Sequence, residues 1–111
     1  MKDLIAKGKT LWDFCIQGTV IIFDDEKFPS LEECRSKIIV THIPSPDILL
    51  YMSEALAVVT ETGGILCHAA VLALEMGCPI IVAADGIIGK LHNGQEIMLI
   101  SNEHNGEIYE I

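Results

Sequence analysis

The chain has 111 residues, of which half are hydrophobic and only 5% aromatic, and its formal net charge is −9. This length fits a single domain over residues 1–111, and the Ile, Leu, Val and Ala content is typical of a buried sheet covered by helices. With seven Lys and Arg residues in total, the chain lacks the clustered positive charge that binds nucleic-acid backbones or anionic membrane surfaces.

Cellular location is indicated by what the sequence lacks. No apolar run approaches the about 20 residues of a membrane-spanning helix, and the first residues lack the apolar core and cleavage site of a signal peptide. The four cysteines, which form no Cys-x-x-Cys pair and match no zinc-ligand spacing, are Cys15, Cys34, Cys67 and Cys78. We therefore expect a cytoplasmic protein with reduced thiols and no metal site.

The beginning of the chain predicts few elements. Residues 11–16 are apolar with imperfect alternation and suggest at most a short strand before a break at Gly18. Residues 19–23 are β-branched and apolar, which predicts a strand. A polar loop is expected over residues 24–29.

Helix starts and ends are predicted by capping residues. Ser30 with Glu33 three positions later has the spacing of a capping box, and Ser-Pro-Asp at residues 45–47 is a strong helix start. Gly77 provides a C-terminal stop. The helices predicted in this way cover residues 31–36, 46–53 and 69–76.

Apolar runs between these helices predict buried strands over residues 37–41, 55–59 and 80–83. Alternating strands and helices form right-handed βαβ units on a parallel sheet. Residues 96–100 and 107–109 predict a closing hairpin. The expected fold class is α/β, with a parallel central sheet and a second, smaller set of mainly antiparallel strands.

The most informative stretch is residues 60–70, Thr-Glu-Thr-Gly-Gly-Ile-Leu-Cys-His-Ala-Ala. A strand, a glycine turn and a helix start form an anion-binding arrangement, because the first N–H groups of a helix lack internal partners and carry partial positive charge. His68 stands at that helix start, and a neutral imidazole nitrogen is nucleophilic near pH 7. The stretch therefore suggests a site where His68 carries a phosphoryl group.

Four further residues would surround that group. Gly63 and Gly64 remove Cβ atoms that would block its approach, Thr60 offers a hydroxyl to orient the ring or contact the phosphate, and Cys67 is an adjacent weak donor. The residues alone also allow a purely structural alternative, in which the glycines make a tight turn and His68 packs near a helix start. The remaining histidines, which have the surroundings of loop or turn residues, are His42, His92 and His104.

The helix that follows His68 is apolar nearly all round, with Glu75 as its only charge. Such a helix is expected to be covered on more than one side. Either another layer of the same domain or another protein would provide that cover.

The run over residues 60–71, continued by Ala73, Glu75, Gly77 and Pro79, resembles the mobile phosphohistidine domain of phosphoenolpyruvate-utilising enzymes. That family includes phosphoenolpyruvate synthase, pyruvate phosphate dikinase and rifampicin phosphotransferase. The resemblance implies a swivelling β/β/α domain whose histidine, His68, is phosphorylated from ATP or phosphoenolpyruvate and passes the group to pyruvate or another acceptor.

The resemblance also implies partners, because neither the donor nor the acceptor site fits in 111 residues. The donor would be an ATP-grasp domain or subunit and the acceptor a pyruvate-binding one, with ATP and Mg²⁺ bound there and no cofactor bound by this domain. The chain would thus be a phosphotransferase component that cannot complete a reaction alone. A non-catalytic binding or regulatory module that retains the fold is the alternative, and self-association stays open.

The resemblance covers residues 37–111, and three positions in it depart from the family pattern. Leu66 stands where the family often has Thr, Leu74 where it has Arg, and Ala83 where a glycine ends the third strand. These changes keep the histidine but leave open whether a full phosphotransfer cycle is kept.

Overall fold

A computed structural model of the chain describes residues 3–23 and 28–111. Within these residues the strands are β1 Leu4–Lys9, β2 Cys15–Ile22, β3 Ile38–Thr41, β4 Ala57–Thr60, β5 Ile80–Ile81, β6 Glu96–Asn102 and β7 Asn105–Glu110. The α-helices are α1 Leu31–Cys34 and α2 His68–Met76, and two 3₁₀ helices cover Pro46–Leu50 and Ile88–Lys90. No helix among the described residues has the length and apolar character needed to cross a membrane.

All seven strands belong to one mixed sheet, in the order β1-β7-β6-β2-β3-β4-β5. Strands β2 to β5 are parallel to one another, and β1, β7, β6 and β2 pair antiparallel. The long strand β2 joins the two sets, since its first half pairs with β6 and its second half with β3. The structure contains the predicted parallel strands and the closing hairpin, and the antiparallel strands continue the same sheet.

The two edges of this sheet meet. The backbone N–H of Lys9 donates to the carbonyl of Val82 at 2.7 Å, and that of Val82 donates to the carbonyl of Lys9 at 2.8 Å. Close packing inside the curled sheet needs a glycine on β7, because a Cβ at Gly106 would lie 2.8 Å from the side chain of Ile81. Ile81 thus fills the space that the glycine leaves.

The parallel strands are buried on both faces. Ile38 and Val40 contribute to the core inside the curled sheet, whereas Ile39 and Val58 contribute to the core beneath the helices. Successive strand residues point to opposite faces. Because both faces are buried, the strand sequences are continuous apolar runs. The helix-side core includes three small residues of α2, namely Ala69, Ala70 and Ala73.

The start of the chain differs from what the sequence predicts. Residues 4–9, which sequence patterning left unassigned, form β1, and β2 begins at Cys15 and runs through Gly18. Gly18 does not end a strand. It makes room instead, because a Cβ there would lie 2.6 Å from Leu56 and 3.2 Å from Ile38.

The shorter helices differ in extent from the prediction. Ser30 caps α1 through its side-chain oxygen, which accepts the N–H of Glu33 at 3.2 Å, but α1 ends at Cys34. The helix predicted over residues 46–53 is a 3₁₀ helix, Pro46–Leu50, followed by turns. The polar loop predicted over residues 24–29 falls mostly outside the described residues.

Candidate functional site

The candidate site begins where β4 ends at Thr60, and several hydrogen bonds hold this end in place. The N–H of Glu61 donates to the carbonyl of Thr41 at 3.0 Å, and that of Ala84 donates to the carbonyl of Thr60 at 2.9 Å. The buried hydroxyl of Thr60 donates to the carbonyl of Thr62 at 2.6 Å. Thr60 therefore folds the chain back at the start of the loop, and its predicted contact with the ring or the phosphate stays a prediction.

The two glycines of the loop have different reasons for being glycine. Gly63 has φ +102°, a conformation that side chains disfavour, and a Cβ there would lie 3.0 Å from Pro44 Cγ. Gly64 is exposed, and nothing lies within 4 Å of the position its Cβ would occupy. Gly63 is therefore required by the fold of the loop, whereas Gly64 leaves open space at its surface.

Cys67 closes the loop and is the N-cap residue of α2. Its N–H donates to the carbonyl of Gly64 at 3.0 Å, and its carbonyl accepts the N–H of Val71 at 3.1 Å. The half-buried thiol makes no capping hydrogen bond. The first N–H groups of α2 thus have no side-chain cap, which is the condition under which a helix start binds an anion.

His68 is the first residue of α2 and is exposed, in agreement with the predicted position at a helix start. Each of the other three histidines uses its Nδ1 in a hydrogen bond, His42 with Glu61, His92 with Asn93 and His104 with Thr10. Within the described part of the chain, the ring of His68 makes no such bond. Its nitrogens are therefore accessible to a reaction partner.

One contact next to the site was not predicted, since His42 was expected to be an ordinary loop residue. Its Nδ1 lies 2.7 Å from Glu61 Oε1, and Glu61 Oε2 accepts the N–H of Ile88 at 3.1 Å. The alignment of the strand ends could have predicted this contact. Thr41 pairs with Thr60, so His42 and Glu61, the residues that follow them, are neighbours.

The surface around His68 is apolar. The exposed residues of α2 include Val71, Leu74 and Met76, at 38%, 48% and 47%, and Leu66 in the loop is 84% exposed. Only one side of α2 is buried by the described residues. Of the two expected covers, a further layer of the domain is therefore not seen among them, and cover by another protein stays a prediction. Among the described residues, no three His, Cys, Asp or Glu side chains are grouped as a metal site would require.

Comparison with known proteins identifies relatives across most of the chain. The family model described as PEP-utilising enzyme, mobile domain, matches residues 34–103. The phosphoenolpyruvate synthase of Helicobacter pylori is 36% identical over 110 residues, which cover 97% of this chain and 13% of that protein. A pyruvate kinase of Bacillus licheniformis is 29% identical over 108 residues, 97% of this chain and 18% of that protein.

The fold has counterparts among solved structures. The solution NMR structure of Enzyme I matches with a TM-score of 0.59 and 19% identity, over 74% of this chain and 34% of that one. This match concerns the fold alone. The chain spans less than a fifth of the length of the curated relatives named above, so the rest of each relative lies outside the match. By its family match and its similarity to phosphoenolpyruvate synthases, the chain belongs to the mobile domains of PEP-utilising enzymes.

Proposed function

We propose that this chain is a phosphoryl-carrier domain and that His68 is its phosphorylated residue. The observation that carries the proposal is the position of His68, exposed, as the first residue of α2 and directly after the glycine loop. In the accepting step, a ring nitrogen of His68 attacks phosphorus, a P–N bond forms and the P–O bond to the leaving group breaks. Delivery reverses this, with the P–N bond breaking as an acceptor oxygen attacks.

The surroundings of His68 support this chemistry. Oxygens of a phosphoryl group on the ring lie near a helix start without a side-chain cap, where the helix dipole favours negative charge. Gly64 leaves open space beside the loop. The hydrogen bonds of Thr60 and Cys67 hold both ends of the loop, so the ring is presented from a stiff support.

The donor and acceptor sites belong to other domains or subunits in this proposal. The relatives are several times longer than this chain, which leaves room in them for an ATP-grasp nucleotide site and a site for phosphoenolpyruvate or pyruvate. ATP and Mg²⁺ would bind at those partner sites. The carrier domain would then move between the donor site and the acceptor site, because the same histidine has to reach both in the two steps of the transfer.

Two labelling reactions test the proposal. Phosphoramidate phosphorylates reactive histidines without a partner protein. ATP, labelled at its β and γ phosphorus atoms, would phosphorylate His68 only through a nucleotide-binding partner. For the second reaction we would add a phosphoenolpyruvate synthase inactivated at its own matching histidine. The expected product in both is an acid-labile phosphate on His68, located by peptide mapping.

Matched variants make the result specific. His68→Gln should abolish the label, whereas His92→Gln, which changes another exposed histidine, should leave it unchanged. Absence of label on His68 in both reactions, with the inactivated partner shown to label a separately supplied copy of its own unaltered mobile domain, would overturn the proposal.

The second candidate function is a non-catalytic binding or regulatory module. It is favoured by the exposed leucines Leu66 and Leu74, which stand where the family pattern has polar residues. This alternative predicts that His68→Ala leaves partner binding and cellular function intact, whereas a carrier would lose function while still binding.

A further inference from the structure

The ring of His42 is held at one nitrogen and free at the other. Its Nδ1 lies 2.7 Å from Glu61 Oε1, and Glu61 Oε2 accepts the N–H of Ile88 at 3.1 Å. A carboxylate can only accept hydrogen bonds, so the proton in the first contact belongs to Nδ1. In the neutral ring the lone pair is then on Nε2. The side chain is 45% exposed, and Nε2 bonds to none of the described residues, so this nitrogen is available to react.

This ring is separate from the candidate site at the start of α2. Val40 and Val59, two residues before His42 and Glu61, belong to the core inside the curled sheet, whereas α2 packs on the core of the other face. Side chains two residues apart along a strand share a face. His42 and Glu61 therefore turn away from α2, although their backbone adjoins the loop that leads to it.

An open cavity of about 550 Å³ adjoins the ring of His42. Its apolar walls include Ile22, Ile88 and Leu91, and its polar lining includes His92 and Asn93. The amide oxygen of Asn93 accepts the N–H of Ile22 at 2.6 Å, which leaves the amide N–H groups for a ligand. Apolar walls with a few polar groups, in a volume of roughly 300–1,000 Å³, are typical of sites for small molecules.

The lining of this cavity favours one class of phosphoryl donor. None of the described residues that line it is Lys or Arg, which are the residues that bind chains of phosphates. An acyl phosphate has a single phosphoryl group and an acyl end that can be apolar. Such a molecule fits apolar walls on one side and an imidazole and an amide on the other.

We propose that this cavity is a second phosphoryl-accepting site, in which small acyl phosphates phosphorylate His42 at Nε2. The nitrogen attacks phosphorus, a P–N bond forms, and the P–O bond to the acyl oxygen breaks, so that a carboxylate leaves with the electron pair. The proton stays on Nδ1, and the ring becomes positively charged. Glu61 stabilises this charge and orients the ring, which are the roles of a carboxylate behind a catalytic imidazole. The site needs no partner protein and does not depend on the carrier function of His68.

Acetyl phosphate and butyryl phosphate are the two probes that test this site. The two added CH₂ groups of the butyryl chain contact the apolar walls, so the second-order rate constant for phosphorylation of His42 should be about tenfold higher with butyryl phosphate. His104 is the matched control, because it is exposed and its Nδ1 bonds to the carbonyl of Thr10 instead of a carboxylate. It should react slowly and equally with both probes. Peptide mapping by mass spectrometry measures each histidine separately.

A variant of the carboxylate tests the role of the pair. Glu61→Gln should slow phosphorylation of His42 about tenfold with both probes, because the charged ring loses its counter-ion. Glu54→Gln removes a carboxylate that pairs with Arg35 instead and should leave the rate unchanged. Phosphorus NMR should place the phosphoryl group on Nε2.

Four results would overturn the proposal. They are no phosphate on His42, a rate no higher than that of His104, equal rates with acetyl and butyryl phosphate, and an unchanged rate in Glu61→Gln. The second and third would mean that His42 is an ordinary surface histidine with no cavity in use. Because each histidine is mapped separately, labelling of His68 does not affect any of these outcomes.

Discussion

His42 Nδ1 lies 2.7 Å from Glu61 Oε1, and Glu61 Oε2 accepts the backbone N–H of Ile88 at 3.1 Å. One carboxylate therefore connects the ends of β3 and β4 to the 3₁₀ helix Ile88–Lys90. The N–H and the hydroxyl of Thr62 both donate to the carbonyl of His42, each at 3.1 Å. The chain just before Gly63 is thus fastened from two sides, which positions the loop that leads to His68.

Glu61→Gln should loosen this loop without removing its shape. The glutamine amide keeps one acceptor oxygen but carries no negative charge. It can therefore no longer present a carboxylate oxygen to both His42 and the N–H of Ile88. We expect a loss of about 1 kcal/mol in the free energy of unfolding, because a charge-assisted hydrogen bond at a half-exposed site is worth about that much. Urea denaturation measures it, and ATP-dependent labelling of His68 should slow as the loop becomes less ordered.

Glu54→Gln is the matched control for the Glu61 substitution. Glu54 also forms an ion pair, with Arg35, but both side chains are well exposed, at 37% and 61%, so this pair contributes little. Equal stability losses in the two variants would show that the Glu61 network has no special role in the loop.

The two glycines of the loop give a second matched pair. Gly63→Ala should cost about 1–2 kcal/mol, because alanine at φ +102° is strained and its Cβ would meet Pro44 at 3.0 Å. Gly64→Ala should leave the unfolding free energy within about 0.5 kcal/mol, since its Cβ would point into open space.

Labelling then shows what Gly64 does. If the phosphoryl donor approaches closely over this residue, Gly64→Ala slows labelling of His68 although stability is unchanged, and that is the expected outcome. Labelling at the normal rate in Gly64→Ala would show that Gly64 has no role in phosphoryl transfer. Only Gly63 would then be needed, for the fold of the loop.

The parts of the fold that could be predicted from the sequence depend on local signals. Gly77 ends α2 with φ +71°, and Ser30 caps α1 as its spacing with Glu33 indicates. The start of α2 at His68 follows from the same kind of signal, a glycine turn before an apolar run. Each of these features is decided within a few residues of the chain, so a pattern is enough to find it.

The parts that were missed depend on distant residues. Strand β1 contains Lys7, Gly8 and Lys9, which favour no strand by themselves, and it exists because it pairs with β7 about 100 residues later. The His42–Glu61 contact likewise needs the register of β3 against β4. Propensity carries no information on such pairings, because tertiary contacts override it.

Gly106→Ala should strongly destabilise the curled sheet. A Cβ at Gly106 would lie 2.8 Å from Ile81 Cδ1 and Cγ1, and overpacking of this kind costs about 1–3 kcal/mol. Ile81→Val removes the terminal methyl group and relieves part of the clash. The double variant should therefore be more stable than the sum of the two single effects predicts, which a double-mutant cycle from denaturation curves would measure. Additive effects would mean that Gly106 and Ile81 do not oppose each other across the core.

Burial raises the pKa of the Cys78 thiol from about 9 to about 11, and this shift predicts a loss of stability in alkali. Below pH 9 the thiol is neutral in both the folded and the unfolded chain. Between pH 9 and 11 the unfolded chain ionises first and is favoured, so the folded state loses up to about 2–3 kcal/mol relative to neutral pH.

Cys78→Ala provides the comparison, since it removes this titration. The difference in unfolding free energy between the wild type and Cys78→Ala should be constant up to about pH 9 and should then shift against the wild type as the pH rises. Alkylation with iodoacetamide at pH 8, read by mass spectrometry, should follow exposure and thiolate content. Exposed Cys15 should react first, and Cys34, whose pKa is also raised chiefly by burial, should react slowly together with Cys78. A pH-independent stability difference, or early alkylation of Cys78, would show that this thiol is not held in a buried, neutral state.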